Sequence, residues 1–237
     1  MVYRRNRVRP CSVTMLQPNG VLITRTHTRC IGVESERCIA FYFHRESMSK
    51  KYKFSFTAAS LQVPMMIELS QKIISDGIMP DQLLPENMEK ARFITGKREL
   101  TEMKARLNTL SADEIKLLAY GDADEQRYLS LVAFARTYLF FRDFVLEVIA
   151  EKVSVFDFAI TDMDYNVFFN NKAIDHPEAE KLTDKTKGKI RQVTFKVLEQ
   201  GGLINNITER KIQQPVLSQR LQSLLSEKKV DLQVLLH

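Results

Sequence analysis

The sequence predicts an all-α fold, a compact helical globule, and three observations carry that expectation. Glycine and proline, the two residues that interrupt helices, number eight and seven in 237. After residue 48, apolar side chains recur at spacings of three and four, the period of one helix face. Ser, Thr and Asp stand just before several of these runs, and glycine closes several of them, as helix punctuation requires.

Residues 1–47 do not follow the pattern. They contain eight arginines, three glutamates, no lysine and all three cysteines, Cys11, Cys30 and Cys38. No apolar core follows the basic start, so the segment does not read as a signal peptide. The reading is a disordered or non-native N-terminal extension, with Met48 as the natural start; the alternative is a basic arm that grips DNA phosphates. The cysteines, even with His27 and His44 nearby, match no zinc pattern of paired close ligands, so no metal is expected. A body without cysteine suits a cytoplasmic protein that needs no disulfide.

The remainder divides into an N-terminal helical part, 48–121, and a part with a long central helix, 122–237. A first helix is expected over 58–74, capped by Thr57 or Ser55, with Leu61, Leu69 and Ile73 on its apolar stripe and Asp76-Gly77 at its end. Pro80 and Pro85 suit short helical turns. A second helix spans 97–110 on Leu100, Met103, Leu107 and Leu110. Ser111 and Glu114 form a capping box for a short helix ending at Gly121. The longest helix, 124–152, is apolar around most of its circumference. Arg136, Arg142, Asp143 and Glu147 interrupt it, which favours a buried central helix over a membrane span. Helices over 162–174 and 184–199 follow, the latter capped by Thr183 and stopped by Gly201-Gly202. Residues 203–216 read as a two-stranded wing or an irregular loop. Ser218 caps a helix to 225, and a last one runs from 226.

The net charge of +6 suggests nucleic acid, but its distribution matters more. Outside residues 1–47, 27 basic and 26 acidic residues nearly cancel, so any DNA argument rests on local patches. The helix over 184–199 offers one. Ile190, Val193, Val197 and Leu198 mark its buried face, while Lys185, Lys189, Gln192 and Lys196 fall opposite, flanked by Lys187 and Arg191. With the helix before it, it makes a helix-turn-helix, and Arg210 and Lys211 would sit at a wing tip. Lysines there would neutralise phosphates, and Gln192 could read a base edge. The bland alternative is an ordinary solvated face. A second candidate is the helix over 97–110, with Lys97 and Lys104 on one face, Arg98 and Arg106 flanking, and Glu99 and Glu102 diluting the charge.

Enzyme signals are weak: there is no glycine-rich phosphate loop, nucleophile elbow or zinc-protease motif. Asp157, Asp162 and Asp164 could hold a divalent ion, but acids at a helix start are commoner as caps.

Four stretches are more specific. Phe54-Ser55-Phe56-Thr57-Ala58-Ala59-Ser60-Leu61, Ala133-Phe134-Ala135-Arg136-Thr137-Tyr138, the run from His176-Pro177-Glu178 through Leu182-Thr183 to Gly202-Leu203-Ile204, and Gln213-Gln214-Pro215-Val216-Leu217-Ser218 together resemble the BrxA family of BREX phage-defence systems. The resemblance spans nearly all of the body and none of residues 1–47. It implies a compact all-α protein with two helix-turn-helix units, monomeric, binding double-stranded DNA and working with other BREX proteins. The combined expectation is a non-enzymatic subunit with no cofactor that holds the duplex mainly through phosphates, in the cytoplasm and off the membrane. The rivals are an adaptor that assembles BREX subunits and a helical RNA-binding factor.

Overall fold

The computed structural model of the chain describes residues 11–16, 22–27, 51–84 and 93–237. The chain forms two units, Met1–Glu46 and Ser47–His237. In the first, β1 (Cys11–Leu16) and β2 (Leu22–His27) pair antiparallel, with Cys11 opposite His27 and Leu16 opposite Leu22. This pairing was not anticipated from the sequence pattern. Most of residues 1–47, and with them His44, Cys30 and Cys38, lie outside the described residues, as does Pro85.

The second unit is all-α. Its first helix, α1 (Val63–Asp76), begins five residues later than the apolar spacing suggests. Pro64 occupies its first turn, where a missing amide costs nothing, and residues Ser55–Ala58 make a separate 3₁₀ turn instead. Gly77, at φ 63°, ends α1 in the left-handed conformation that favours glycine. A 3₁₀ turn at Pro80–Gln82 leads towards α2 (Phe93–Leu107). Then α3 (Ala112–Tyr120) starts on the expected box: the Ser111 hydroxyl accepts from the Glu114 amide at 3.3 Å, and Glu114 accepts from the Ser111 amide at 2.6 Å.

The long central helix is several pieces. Asp122 caps α4 (Ala123–Thr137). At Tyr138 the backbone turns extended, φ −117° and ψ 91°, and α5 (Leu139–Phe144) restarts. A π turn over Val145–Ile149 leads into α6 (Ala150–Ser154). The break at Tyr138 aims its hydroxyl across the core to Glu102, at 2.5 Å. Phe134, Phe140, Phe141 and Phe144 are fully buried and carry aromatic contacts from Phe56 at one end to Phe195 at the other. This core explains why the piecewise helix reads as apolar all round. Among the described residues, no helix is long and apolar enough to cross a membrane.

Beyond it come α7 (Asp162–Asp175), α8 (Pro177–Glu180), α9 (Asp184–Gln200), α10 (Gln219–Leu225) and α11 (Lys229–Val234). Between α9 and α10 the chain doubles back. Ile204 bridges Ile212, and Lys211 bridges Ala159 on its other side, so residues 210–213 lie between 203–205 and 158–160. The Gln213 amide donates to the Leu203 carbonyl at 2.9 Å, and the Ile212 amide to the Phe158 carbonyl at 2.8 Å. Of the two expectations for 203–216, the outcome is nearer the paired one, with single bridges in place of sustained strands.

Candidate nucleic-acid interface

Local chemistry explains how α9 is presented. The Thr183 hydroxyl accepts from the Thr186 amide at 3.3 Å and starts the helix. Ile190, Val193, Phe195, Val197 and Leu198 then bury one side against the core. At its far end the Gln200 side chain accepts from the Leu61 amide at 3.0 Å, tying α9 to the segment after the 3₁₀ turn. The opposite side faces solvent, and Lys185, Lys189, Gln192 and Lys196 are all exposed there. The Lys189 ammonium donates to Gln192 Oε1 at 3.1 Å. Among the described residues, no carboxylate pairs with Lys185, Lys189 or Lys196.

The flanking residues are partly engaged elsewhere. Lys187 is half-buried, its ammonium 5.9 Å from the centre of the Phe169 ring. Arg191 is half-buried and 3.7 Å from Asp162. At the turn, Lys211 is exposed, with Glu209 at 3.8 Å, but Arg210 is withdrawn. Its guanidinium lies 4.2 Å over the Phe195 ring and bonds Asp162 at 2.6 Å and the Ile207 carbonyl at 3.0 Å. Arg210 is thus a strut of the turn, a correction to its place at a DNA-facing tip. The tip itself closes on its own amides, with Asn206 Oδ1 accepting from Thr208 at 2.9 Å and Glu209 at 2.7 Å.

On α2, Lys97 and Arg98 are exposed as expected. Lys104 is half-buried and donates to the Asp81 carbonyl at 2.9 Å. Arg106 requires correction: it is 0 % exposed. It donates to the carbonyls of Ala59 at 2.7 Å, Ser60 at 2.8 Å and Leu61 at 3.0 Å, and stacks 4.7 Å from the Phe134 ring. Burial lowers its proton affinity, opposed by the Tyr138 hydroxyl and Glu102. No phosphate can reach it. Glu102 is likewise buried, accepting from Tyr138 and, at 3.1 Å, from Ser55, so it does not dilute the surface charge.

The acids before and in the first turn of α7 are occupied by cations and caps. Asp157 and Asp164 share Lys152, at 2.6 and 3.2 Å. Asp162 takes Arg210, which with Arg191 beside it holds its carboxyl below the usual carboxylate range. Asp164 closes a capping box with Thr161. Among the described residues, no cluster of His, Cys, Asp and Glu is arranged to hold a metal ion.

Sequence reasoning missed Lys51 and Lys53. Both are exposed on a segment whose Tyr52 is buried, stacked 3.8 Å from His176, its amide donating to Glu178 at 2.7 Å and its hydroxyl to Asp143 at 2.8 Å. The alternation Lys51-Tyr52-Lys53-Phe54 was the available signal for a strand-like strap with its lysines outward.

These features define a protein whose second unit is all-α, built round a buried, segmented central helix, and turns the basic face of α9 to solvent. The family model BrxA matches residues 50–229, and the chain belongs to the BrxA family; it is a component of a BREX phage-defence system. Relatives include the BREX protein BrxA of Bacillus cereus (strain H3081.97), 29 % identical over 140 residues that cover 58 % of this chain and 70 % of the relative. That of Escherichia coli O9:H4 (strain HS) is 27 % identical over 131 residues, covering 55 % and 62 %. Among solved structures, an uncharacterized protein from Magnetospirillum magneticum shares the fold with a TM-score of 0.68 at 18 % identity, over 78 % of this chain and 98 % of that one.

Proposed function

We propose that the chain is a non-enzymatic double-stranded-DNA-binding subunit of its BREX system, acting in the cytoplasm as a monomer beside other BREX proteins. The observation that carries this reading is the exposed face of α9, where Lys185, Lys189 and Lys196 stand free of carboxylates among the described residues. The order α7, α8, α9 and a bridged turn supports a helix-turn-helix with a small wing. In this reading the three lysines meet phosphates, Gln192 is the candidate for a base edge, and Lys97, Arg98 and Lys211 contribute from outside α9. Long-armed lysines without a fixed bidentate geometry suit phosphate attraction better than base choice. The test is duplex affinity of the full chain beside a variant with Lys185, Lys189 and Lys196 changed to alanine. Loss of binding in a variant that still melts normally supports the reading; undiminished binding overturns it. Preference for structured RNA in competition would move the reading to RNA.

A second reading, an adaptor between BREX subunits, is favoured by exposed apolar side chains: Phe156 at 83 %, Ile174 at 79 % and Met163 at 74 %. Co-purification with other BREX subunits that survives the lysine changes but fails when these side chains become serine would support it.

A further inference from the structure

Glycine is the least favourable helix residue after proline, so a glycine inside a helix calls for a reason. At the helix ends of the second unit the reasons for glycine are internal. Gly77 and Gly202 have φ of 63° and 76°. At Gly121 a Cβ would strike the Leu117 carbonyl, and at Gly201 it would press the Leu131 methyls at 2.9 Å. Gly188 has neither reason. It lies in the first half of α9, exposed, outside the left-handed region, and a Cβ added there meets nothing within 4 Å.

Its surroundings are the candidate interface itself. One turn before it is Lys185, one turn after it Gln192, and Lys189 adjoins it, all three exposed. Gly188 therefore leaves a bare strip of helix backbone at the edge of the lysine face, with Lys185 and Lys189 along one flank and the exposed Asp184 on the other. We infer that Gly188 is the point where the sugar–phosphate strand of duplex DNA passes closest to α9, held by Lys185 and Lys189 along one flank. The inference rests on the DNA-binding reading above. A missing Cβ lets the strand come nearer by about the length of one carbon–carbon bond, ~1.5 Å, which shortens both ammonium–phosphate contacts. Helix stability is given up at this position for room that only a ligand would use.

The test uses the full chain with Gly188→Ala and Gly188→Leu, both good helix formers, beside the three-lysine variant. Thermal unfolding and affinity for a duplex of about three helical turns are measured on each. Gly188→Ala should raise the melting temperature by about 2 °C, since it removes a helix-interior glycine with nothing to clash. Duplex affinity should nonetheless fall, with Gly188→Leu weaker by roughly tenfold, the scale of side-chain overpacking at a tight contact. Undiminished affinity in both glycine variants, while the lysine variant loses binding, overturns the role of Gly188 and leaves the DNA reading intact. A lowered melting temperature in Gly188→Ala assigns the glycine to the fold and also overturns the inference. Failure of the unaltered chain to bind duplex even at low salt overturns both readings together.

Discussion

Replacing Arg136 with alanine should loosen the corner where α3, α4 and α11 meet. The guanidinium donates to Glu114 at 2.9 and 2.6 Å, to Asp231 at 3.2, 3.2 and 2.7 Å, and to the Thr109 carbonyl at 2.7 Å. The Glu114 and Asp231 side chains are only 1 % and 8 % exposed, so alanine strands two buried carboxylates, leaving Glu114 the Ser111 amide and Lys228 at 3.3 Å. Removing one partner of a buried charge group costs about 3–5 kcal/mol, which for a unit of this size lowers the melting temperature by about 10 °C.

The same corner sets a pH dependence. Burial alone would raise the Glu114 carboxyl, but the bonds from Arg136 and the Ser111 amide, with Lys228 beside them, hold it down at about 2 from an ordinary 4.5. Unfolded chains bind the proton first, so this stabilisation is complete above pH 4.5 and drains away as pH falls towards 2. The shift converts to about 3 kcal/mol at 1.36 per unit, discounted to about 2 because the Lys228 side is open to water. Melting curves from pH 7 downward should show that loss in the unaltered protein and lack it in Arg136→Ala. A variant that melts within about 2 °C of the original, with the same acid profile, refutes the reasoning.

Three further outcomes follow from the geometry. Arg106→Met should cost about 3 kcal/mol, because the Ala59, Ser60 and Leu61 carbonyls are left without their buried donor; denaturant unfolding measures it, and the salt dependence of DNA binding should not change. Arg210→Ala should destabilise by about 1 kcal/mol, because Phe195 and Asp162 are left without the guanidinium, while Lys211→Ala stays within about 0.5 kcal/mol in the same melts. Thr183→Ala should cost about 1 kcal/mol and speed amide exchange at the start of α9, Thr186 first, since that amide loses its capping oxygen.

The features legible in the sequence were local ones. Ser111, Thr183 and Ser218 each cap a helix where expected, because a cap is decided within three residues. The faces of α9 were legible for the same reason: one helix with one buried side leaves a clear period. The break at Tyr138 was not legible, since a stretch buried all round has no period to lose, and the hydroxyl that rewards the break meets Glu102, 36 residues away. Arg106 and Glu102 look like surface charges in a helix pattern, and only the carbonyls of 59–61 and the Tyr138 hydroxyl, brought by tertiary packing, make them interior. Arg210 misled similarly, because its partners Asp162 and Phe195 come from α7 and α9.

The stretches that resemble the family largely map to such joints. The segment 54–61 receives Arg106 and Gln200, the segment 133–138 supplies Arg136 and Tyr138, and His176 and Glu178 hold Tyr52. These joints hold the architecture together, whereas the DNA reading rests on the exposed side of α9.

The most direct test of that reading is the slope of duplex affinity against salt for the full chain and for the variant with Lys185, Lys189 and Lys196 as alanine. Removing one ammonium–phosphate pairing should reduce the slope by about 0.9, so the variant should be shallower by nearly three. Equal slopes would contradict the account and place any phosphate-binding groups away from α9.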